Sequence, residues 1–222
     1  MRVVLFGATG MVGAGVLMEC LIDARVKSVL SISRTPTGVK HPKLRELVRS
    51  DFTQFADIKT ELAGLNACFF CLGISSAGMT EAAYQHITYD LTIAAAEALA
   101  SASPGIVFVF VTGLGTDSTE TGRVMWARVK GRTENALLRM KGIDAYMFRP
   151  GFIQPMKGIR SKTGLYRAFY AIMGPLYPIL RRVFPSHITN TERVGHAMIA
   201  VAANGYSKRI LETRDINAAA RS

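Results

Sequence analysis

A doubly wound α/β fold with a parallel sheet is predicted by three observations. An apolar run, Val3-Val4-Leu5-Phe6, is followed at once by Gly7, Gly10 and Gly13. Apolar residues then return at helical spacing, as Val12, Val16, Leu17 and Leu21. Further on, short strand-like runs alternate with helical patterns as far as Phe148. Such alternation implies right-handed crossovers and a mostly parallel sheet covered on both faces, the Rossmann-type architecture.

Buried apolar runs predict strands over 3–6, 28–32, 44–48, 67–72, 106–111 and 144–148. Helices are predicted over 11–21, 80–100 and 123–140. The second of these places Ala83, Ile87, Leu91, Ala94 and Ala98 on one apolar stripe. After Pro150-Gly151 the texture changes. Residues 1–155 read as the nucleotide-binding domain and 156–222 as a small C-terminal helical lobe packed on it. Within that lobe, 165–184 is rich in aromatics, Met, Leu and Ile but is broken by Gly174, Pro175 and Pro178. Two short helices forming a lid over a substrate cleft are expected there. Peripheral docking to anionic lipid through Arg167, Arg181 and Arg182 is the less favoured reading, because the breakers interrupt a continuous amphipathic face. Thr189-Asn190-Thr191-Glu192 reads as a capping box opening a helix to about 203, and 208–217 as a short strand with a final turn.

At 222 residues, 49% of them hydrophobic, the chain can bury a large core and is not expected to be disordered. The first apolar run is broken by Gly-Ala-Thr-Gly with no small-residue cleavage site after it, which argues against a secretory signal. The uncharged stretch 98–116 is interrupted by Ser103-Pro104-Gly105, so it reads as a helix end, a turn and a strand, not as a membrane span. Cys20, Cys68 and Cys71 lack metal spacing, and two cysteines three apart on a strand face opposite ways. Reduced thiols and a cytoplasmic location are the expectation. His41, His86, His187 and His196 show no ligand spacing, and no metal site is expected.

Net charge is +11 and uneven: residues 1–120 hold nine Lys and Arg against eleven Asp and Glu, residues 121–222 eighteen against five. The basic half suits an anionic small molecule or surface, or is simply solvated. Nucleic acid is not favoured, since no recognition motif accompanies the charge.

A strand, a glycine turn and a helix in immediate succession are the frame in which such glycines hold a dinucleotide. Gly7 permits the tight turn, Gly10 lets backbone approach the pyrophosphate, and Gly13 lets helix pack on strand. Thr9, Met11 and Val12 complete the turn and offer N–H groups at the positive end of the helix. About twenty residues later an acid would accept the ribose hydroxyls of NAD. Ser33 and Arg34 stand there instead, and a guanidinium suits the 2′-phosphate of NADP. Asp51 and Phe52 follow the third strand, where the adenine ring lies, and Leu72-Gly73 closes the fourth strand against the ribose.

Together these residues resemble an atypical short-chain dehydrogenase/reductase, of the NmrA-like and NAD-dependent epimerase/dehydratase-like kind. The matching pieces are Gly7-Ala-Thr-Gly10-Met-Val-Gly13, Ser33-Arg34, Asp51-Phe52, Cys71-Leu72-Gly73, Val129-Lys130-Gly131 and Arg149-Pro150-Gly151. The resemblance implies cofactor contacts from these segments, Arg149 and Pro150 included, and a homodimer through the helices of 80–100 and 123–140. It also implies a catalytic Tyr-x-x-x-Lys, with a Ser or Thr after the fifth strand. Here the helix reads Trp126-Ala-Arg-Val-Lys130, so Lys130 matches and Trp126 stands where tyrosine is expected. An indole N–H donates a hydrogen bond but does not titrate usefully. Thr112 lies near the Ser/Thr place, with Gly113 beside it. Tyr84 and Tyr89 are the weaker substitutes for a proton donor. Two functions are expected: an NADP(H)-dependent oxidoreductase or epimerase-like enzyme using Lys130, Thr112 and Trp126 on an apolar or anionic small molecule, or a non-catalytic NADP(H) sensor.

Overall fold

The computed structural model describes residues 1–158, 182 and 186–222, and the lid expected over 165–184 lies outside them apart from Arg182. The chain runs β1 (Arg2–Phe6), α1 (Met11–Ile22), β2 (Ser28–Ser33), β3 (Leu44–Val48), a 3-10 turn (Ala56–Ile58) and β4 (Ala67–Phe70). It continues through α2 (Glu81–Gln85), a π-turn (His86–Asp90), α3 (Leu91–Ala102), β5 (Ile106–Val111), α4 (Met125–Arg139), β6 (Ile143–Arg149) and β7 (Phe152–Gln154). Then come β8 (Ile188–Asn190), α5 (Thr191–Asn204), β9 (Ile210–Glu212) and α6 (Thr213–Ala219).

Val3 to Phe6 are wholly buried, as an apolar run without polar alternation requires of a central parallel strand. The main sheet has the order β3-β2-β1-β4-β5-β6-β9, and every pairing in it is parallel. The order reverses direction between β1 and β4. A crevice therefore opens there at the carboxyl ends of the strands, the place where such sheets bind ligands. One face of the sheet packs Leu5, Phe69 and Phe148 against Val16, Met198 and Ile216 of α1, α5 and α6. The other packs Phe6, Phe70, Phe108 and Phe110 against Leu99 and Leu137 of α3 and α4. Phe70 lies 5.1 Å from Phe6 and 5.7 Å from Phe108, centroid to centroid, so the rings form one continuous layer. Each such phenylalanine contributes about 1.5–3 kcal/mol by leaving water. Cys68 packs with the second face and Cys71 with the first, as three-residue spacing on a strand demands.

Three expectations change. The single helix over 80–100 is split by the π-turn, and the buried face runs through Tyr84, Thr88, Thr92, Ala95, Ala96 and Leu99 instead of the Ala83 stripe. The wider turn rotates α3 relative to α2, and a threonine can sit on the buried face because Thr92 Oγ1 donates to the Thr88 carbonyl at 2.7 Å. The helix after 189 is capped by Asn190, whose side chain accepts from Arg193 N at 2.8 Å. Thr189 belongs to β8 and donates to Asn217 at 2.8 Å. Finally, residues 186–222 are integral to the three layers: β9 is the edge strand beside β6, and α5 lies along α1. Between α1 and α5 the buried Glu19 accepts from Lys157 at 2.7 Å and pairs with His196 at 2.9 Å.

Candidate functional site

The first turn of the crevice is built by close approach. Gly7 has φ +79°, and a Cβ there would stand 2.7 Å from the backbone of Cys71 and Leu72. The sequence-predicted Gly7, Cys71 and Leu72 are thus one contact, and Cys71 N donates to Phe6 O at 3.0 Å. Gly10 N donates to Gly7 O at 2.9 Å, and Ala14 N to Gly10 O at 2.8 Å. A Cβ on Gly13 would overlap the Gly7 carbonyl, so helix and turn are in backbone contact. Gly13→Ala is expected to destabilise the protein by about 1–3 kcal/mol through overpacking, read from urea unfolding. The Gly10 cap position supplies no side-chain hydrogen bond, and no acid lies in the first turn of α1. The N–H groups of Met11, Val12 and Gly13 therefore stand at the positive end of the helix dipole with no side-chain cap or acid to satisfy them.

The adenosine side is less uniform. Ser33 is buried and its hydroxyl donates to Thr35 O at 2.7 Å, which shapes the turn after β2. Arg34 is exposed and makes no ion pair among the described residues. A cavity of about 280 Å³ lies between the start of α1 and the loop after β2, lined by Thr9, Ala14, Pro36 and Thr37 among others. Asp51 is exposed. Its Oδ1 accepts from Thr53 N at 2.7 Å and from Thr53 Oγ1 at 2.6 Å, and these bonds hold its carboxyl below the ordinary range. Phe52 departs from expectation: it is 5% exposed and packs edge-on to Phe6 at 6.3 Å, so it is core and not a surface for adenine. Gly73 is exposed, with open space where a Cβ would be.

On the side of α4 lies a buried ion pair, Glu134–Arg149, of which sequence reading singles out only Arg149. Glu134 has no exposed surface. Arg149 Nε donates to both of its oxygens at 3.0 and 3.1 Å, and Arg149 Nη2 reaches both Glu134 and Ser118. Glu212 adds a further ion pair at 3.6 Å. Arg149 is therefore spent on the scaffold instead of the cofactor. Thr112 is corrected in the same way. Its hydroxyl donates to Glu134 at 2.6 Å and points into the core, away from the crevice. What Thr112 offers is its carbonyl, which accepts from Lys130 Nζ at 2.5 Å. Pro150 is buried, and its carbonyl accepts from Leu114 N at 2.9 Å.

Lys130 and Trp126 lie one turn apart on α4, with Nζ 6.0 Å from the indole centroid. A Cβ on Gly113 would lie 3.9 Å from both Lys130 Nζ and the Pro150 carbonyl, an ordinary contact distance. Burial lowers the Lys130 ammonium to about pKa 8, with Glu134 opposing the shift. The tyrosines are poor substitutes for a donor. Tyr84 is 2% exposed with its phenol raised by burial, and Tyr89 carries Arg132 over its ring at 5.0 Å. Leu114, Val124 and Ile74, on the loops after β5 and β4, are exposed apolar side chains.

No family model matches the chain. Solved structures align over nearly all of it. A reductase domain of PhqB from Penicillium fellutanum matches with TM-score 0.68 and 17% identity, covering 95% of this chain and 65% of that one. A short chain dehydrogenase family protein from Francisella tularensis matches with TM-score 0.62 and 16% identity, covering 92% and 91%. The fold is that of the short-chain dehydrogenase/reductases. DesIV, a dTDP-glucose 4,6-dehydratase from Streptomyces venezuelae with NAD bound, shares this dehydrogenase/reductase fold with TM-score 0.65 and 16% identity, over 99% of this chain and 80% of that one. Among curated proteins, "Protein fmp52-2, mitochondrial" of Aspergillus oryzae is 29% identical over 151 residues, 67% of this chain and 66% of its own. That of Aspergillus terreus is 27% identical over 204 residues, 89% and 85%. These names overturn the expected cytoplasmic location, since both relatives are called mitochondrial.

Proposed function

We propose that the chain is an NADP(H)-dependent oxidoreductase acting on an apolar carbonyl or quinone, in a mitochondrial setting supported by its fungal relatives. The observation that carries the cofactor reading is the turn itself: backbone contact between Gly7, Gly13 and Cys71-Leu72, an uncapped helix start, and a cation at the end of β2. These features fit a dinucleotide. Pyrophosphate is held by the amides of Met11 and Val12, and the 2′-phosphate by Arg34 with Thr9 beside it. A nicotinamide bound there supplies or accepts a hydride. Lys130 orients its ribose, and Trp126 takes the place of the tyrosine that the resemblance implies. The exposed Leu114, Val124 and Ile74 favour an apolar substrate.

Arg34→Glu tests the cofactor. Each charge-assisted hydrogen bond is worth about 1.5–3 kcal/mol, so NADPH affinity should fall about tenfold to a hundredfold while NADH affinity holds or rises. Calorimetric titration with both reads this out. Equal losses, or none, would remove the NADP assignment. One group of observations supports a second reading, a non-catalytic NADP(H) sensor: the Thr112 hydroxyl is turned inward, Gly113 has no side chain, and Trp126 does not titrate.

A further inference from the structure

Beside Lys130 the hydroxyls that the resemblance implies are turned inward or replaced. Thr112 spends its hydroxyl on Glu134, and at Gly113 a Cβ would meet only Lys130 Nζ and the Pro150 carbonyl, at 3.9 Å each, which is ordinary contact. Trp126 borders the same region, its ring edge 3.7 Å from a Cβ placed on Gly115 and its face toward Nζ. Tyr84 is sealed in the core, and Tyr89 lies beneath Arg132. Among the described residues, Lys130 is the titratable group beside Gly113 and Trp126.

We propose that Lys130 Nζ is itself the proton donor of this site. The inference rests on the oxidoreductase reading above and adds to it the residue that completes the reduction. The reductant is a dihydronicotinamide and the acceptor a carbonyl or quinone. As the acceptor gains a hydride, one of its oxygens gains an electron pair. An N–H bond of Lys130 breaks, an O–H bond forms on that oxygen, and the neutral amine recovers its proton from water. Nζ keeps one hydrogen bond to the Thr112 carbonyl throughout, which fixes its position on either side of the transfer. The apolar wall of Trp126 keeps water from competing for the oxygen.

The charges around Nζ are consistent with this role. Glu134, on the same helix, favours the ammonium but is neutralised by Arg149 from β6, with Glu212 of β9 beyond it. From the α2 and π-turn segment come Glu81, paired with Arg128 at 2.7 Å, the exposed His86–Asp90 pair, Tyr84 and Tyr89. Desolvation prevails and brings Lys130 to about pKa 8, where general acid catalysis near neutral pH is efficient. Because the folded value lies below that of the unfolded chain, burying the ammonium costs stability below pH 8, and that cost disappears as pH rises through the interval to about 10.5. Lys130→Met removes the cost and should fold at least as stably at pH 7.

The test uses the full chain. Competitive labelling with trace acetic anhydride from pH 6 to 11, read by peptide mass spectrometry, should give Lys130 a midpoint near 8, about two pH units below an ordinary lysine. With 9,10-phenanthrenequinone and saturating NADPH, kcat should fall above pH 8, and Lys130→Met should lose at least tenfold in kcat together with that pH limb. Three results would overturn the proposal: an ordinary labelling midpoint, an unchanged pH profile in Lys130→Met, or no turnover of the quinone by protein that binds NADPH. Failure to bind NADPH at all would instead overturn the reading on which the proposal stands.

Discussion

Replacing Glu134 by alanine is expected to lower the unfolding free energy by about 3–5 kcal/mol, the cost of breaking a buried ion pair from one side. Glu134 is fully buried, and the Arg149 side chain that pairs with it is 11% exposed. Alanine would leave that guanidinium without its principal partner and the Thr112 hydroxyl without its acceptor at 2.6 Å. The residual contact to Glu212, at 3.6 Å and on a side chain 44% exposed, is too long and too wet to compensate. Urea unfolding should show the loss as a lower midpoint at unchanged slope. Glu134→Ala combined with Arg149→Met removes both charges and should recover part of the loss, because the stranded charge is the larger part of it. A single variant within 1 kcal/mol of the parent would show that the pair is not what holds α4 to the sheet.

That pair also shows where sequence reading reached its limit. The glycine turn was legible because its chemistry is local: the residues that must touch lie within seven positions of one another, apart from the Cys71-Leu72 contact. The central strands were legible along the chain because buried parallel strands leave uninterrupted apolar runs. Glu134 and Arg149 are fifteen residues apart on a helix and a strand; Glu134 alone reads as an ordinary surface charge, and Arg149 reads as a cofactor contact. The available signal was that Glu134 comes four residues after Lys130 on one helix face and that Arg149 immediately precedes a Pro-Gly, where a solvated side chain has no obvious work. Thr112 and Phe52 were misplaced for a related reason. Sequence gives the end of a strand but not which way the side chains that follow it turn, and both of these turn inward. The π-turn at His86–Asp90 was not legible, since no Gly or Pro breaker marks it in the sequence.

Gly113→Ser with Trp126→Tyr should raise NADPH-dependent reductase turnover about 10²-fold or more, toward the range of 10² to 10⁴ that a positioned general acid contributes. The gain sits at the lower end because, on the proposal above, the parent already has Lys130 as its proton donor. Both substitutions fit their places. Gly113 does not require a positive φ, and a Cβ there makes only 3.9 Å contacts. Tyrosine is smaller than the indole it replaces, and position 126 lies one helical turn from Lys130. The new phenol would stand near a cation, which lowers its pKa while the lysine is charged. The alkaline limb of kcat should then move away from the Lys130 value, and that shift identifies the new donor as a phenol independently of the size of the gain. Assay against quinones and carbonyls, with each single variant alongside, separates the contributions. If the double variant binds NADPH as tightly as the parent yet turns over no faster on any acceptor, the crevice lacks more than a hydroxyl, and the sensor reading becomes the better account of this fold's use here.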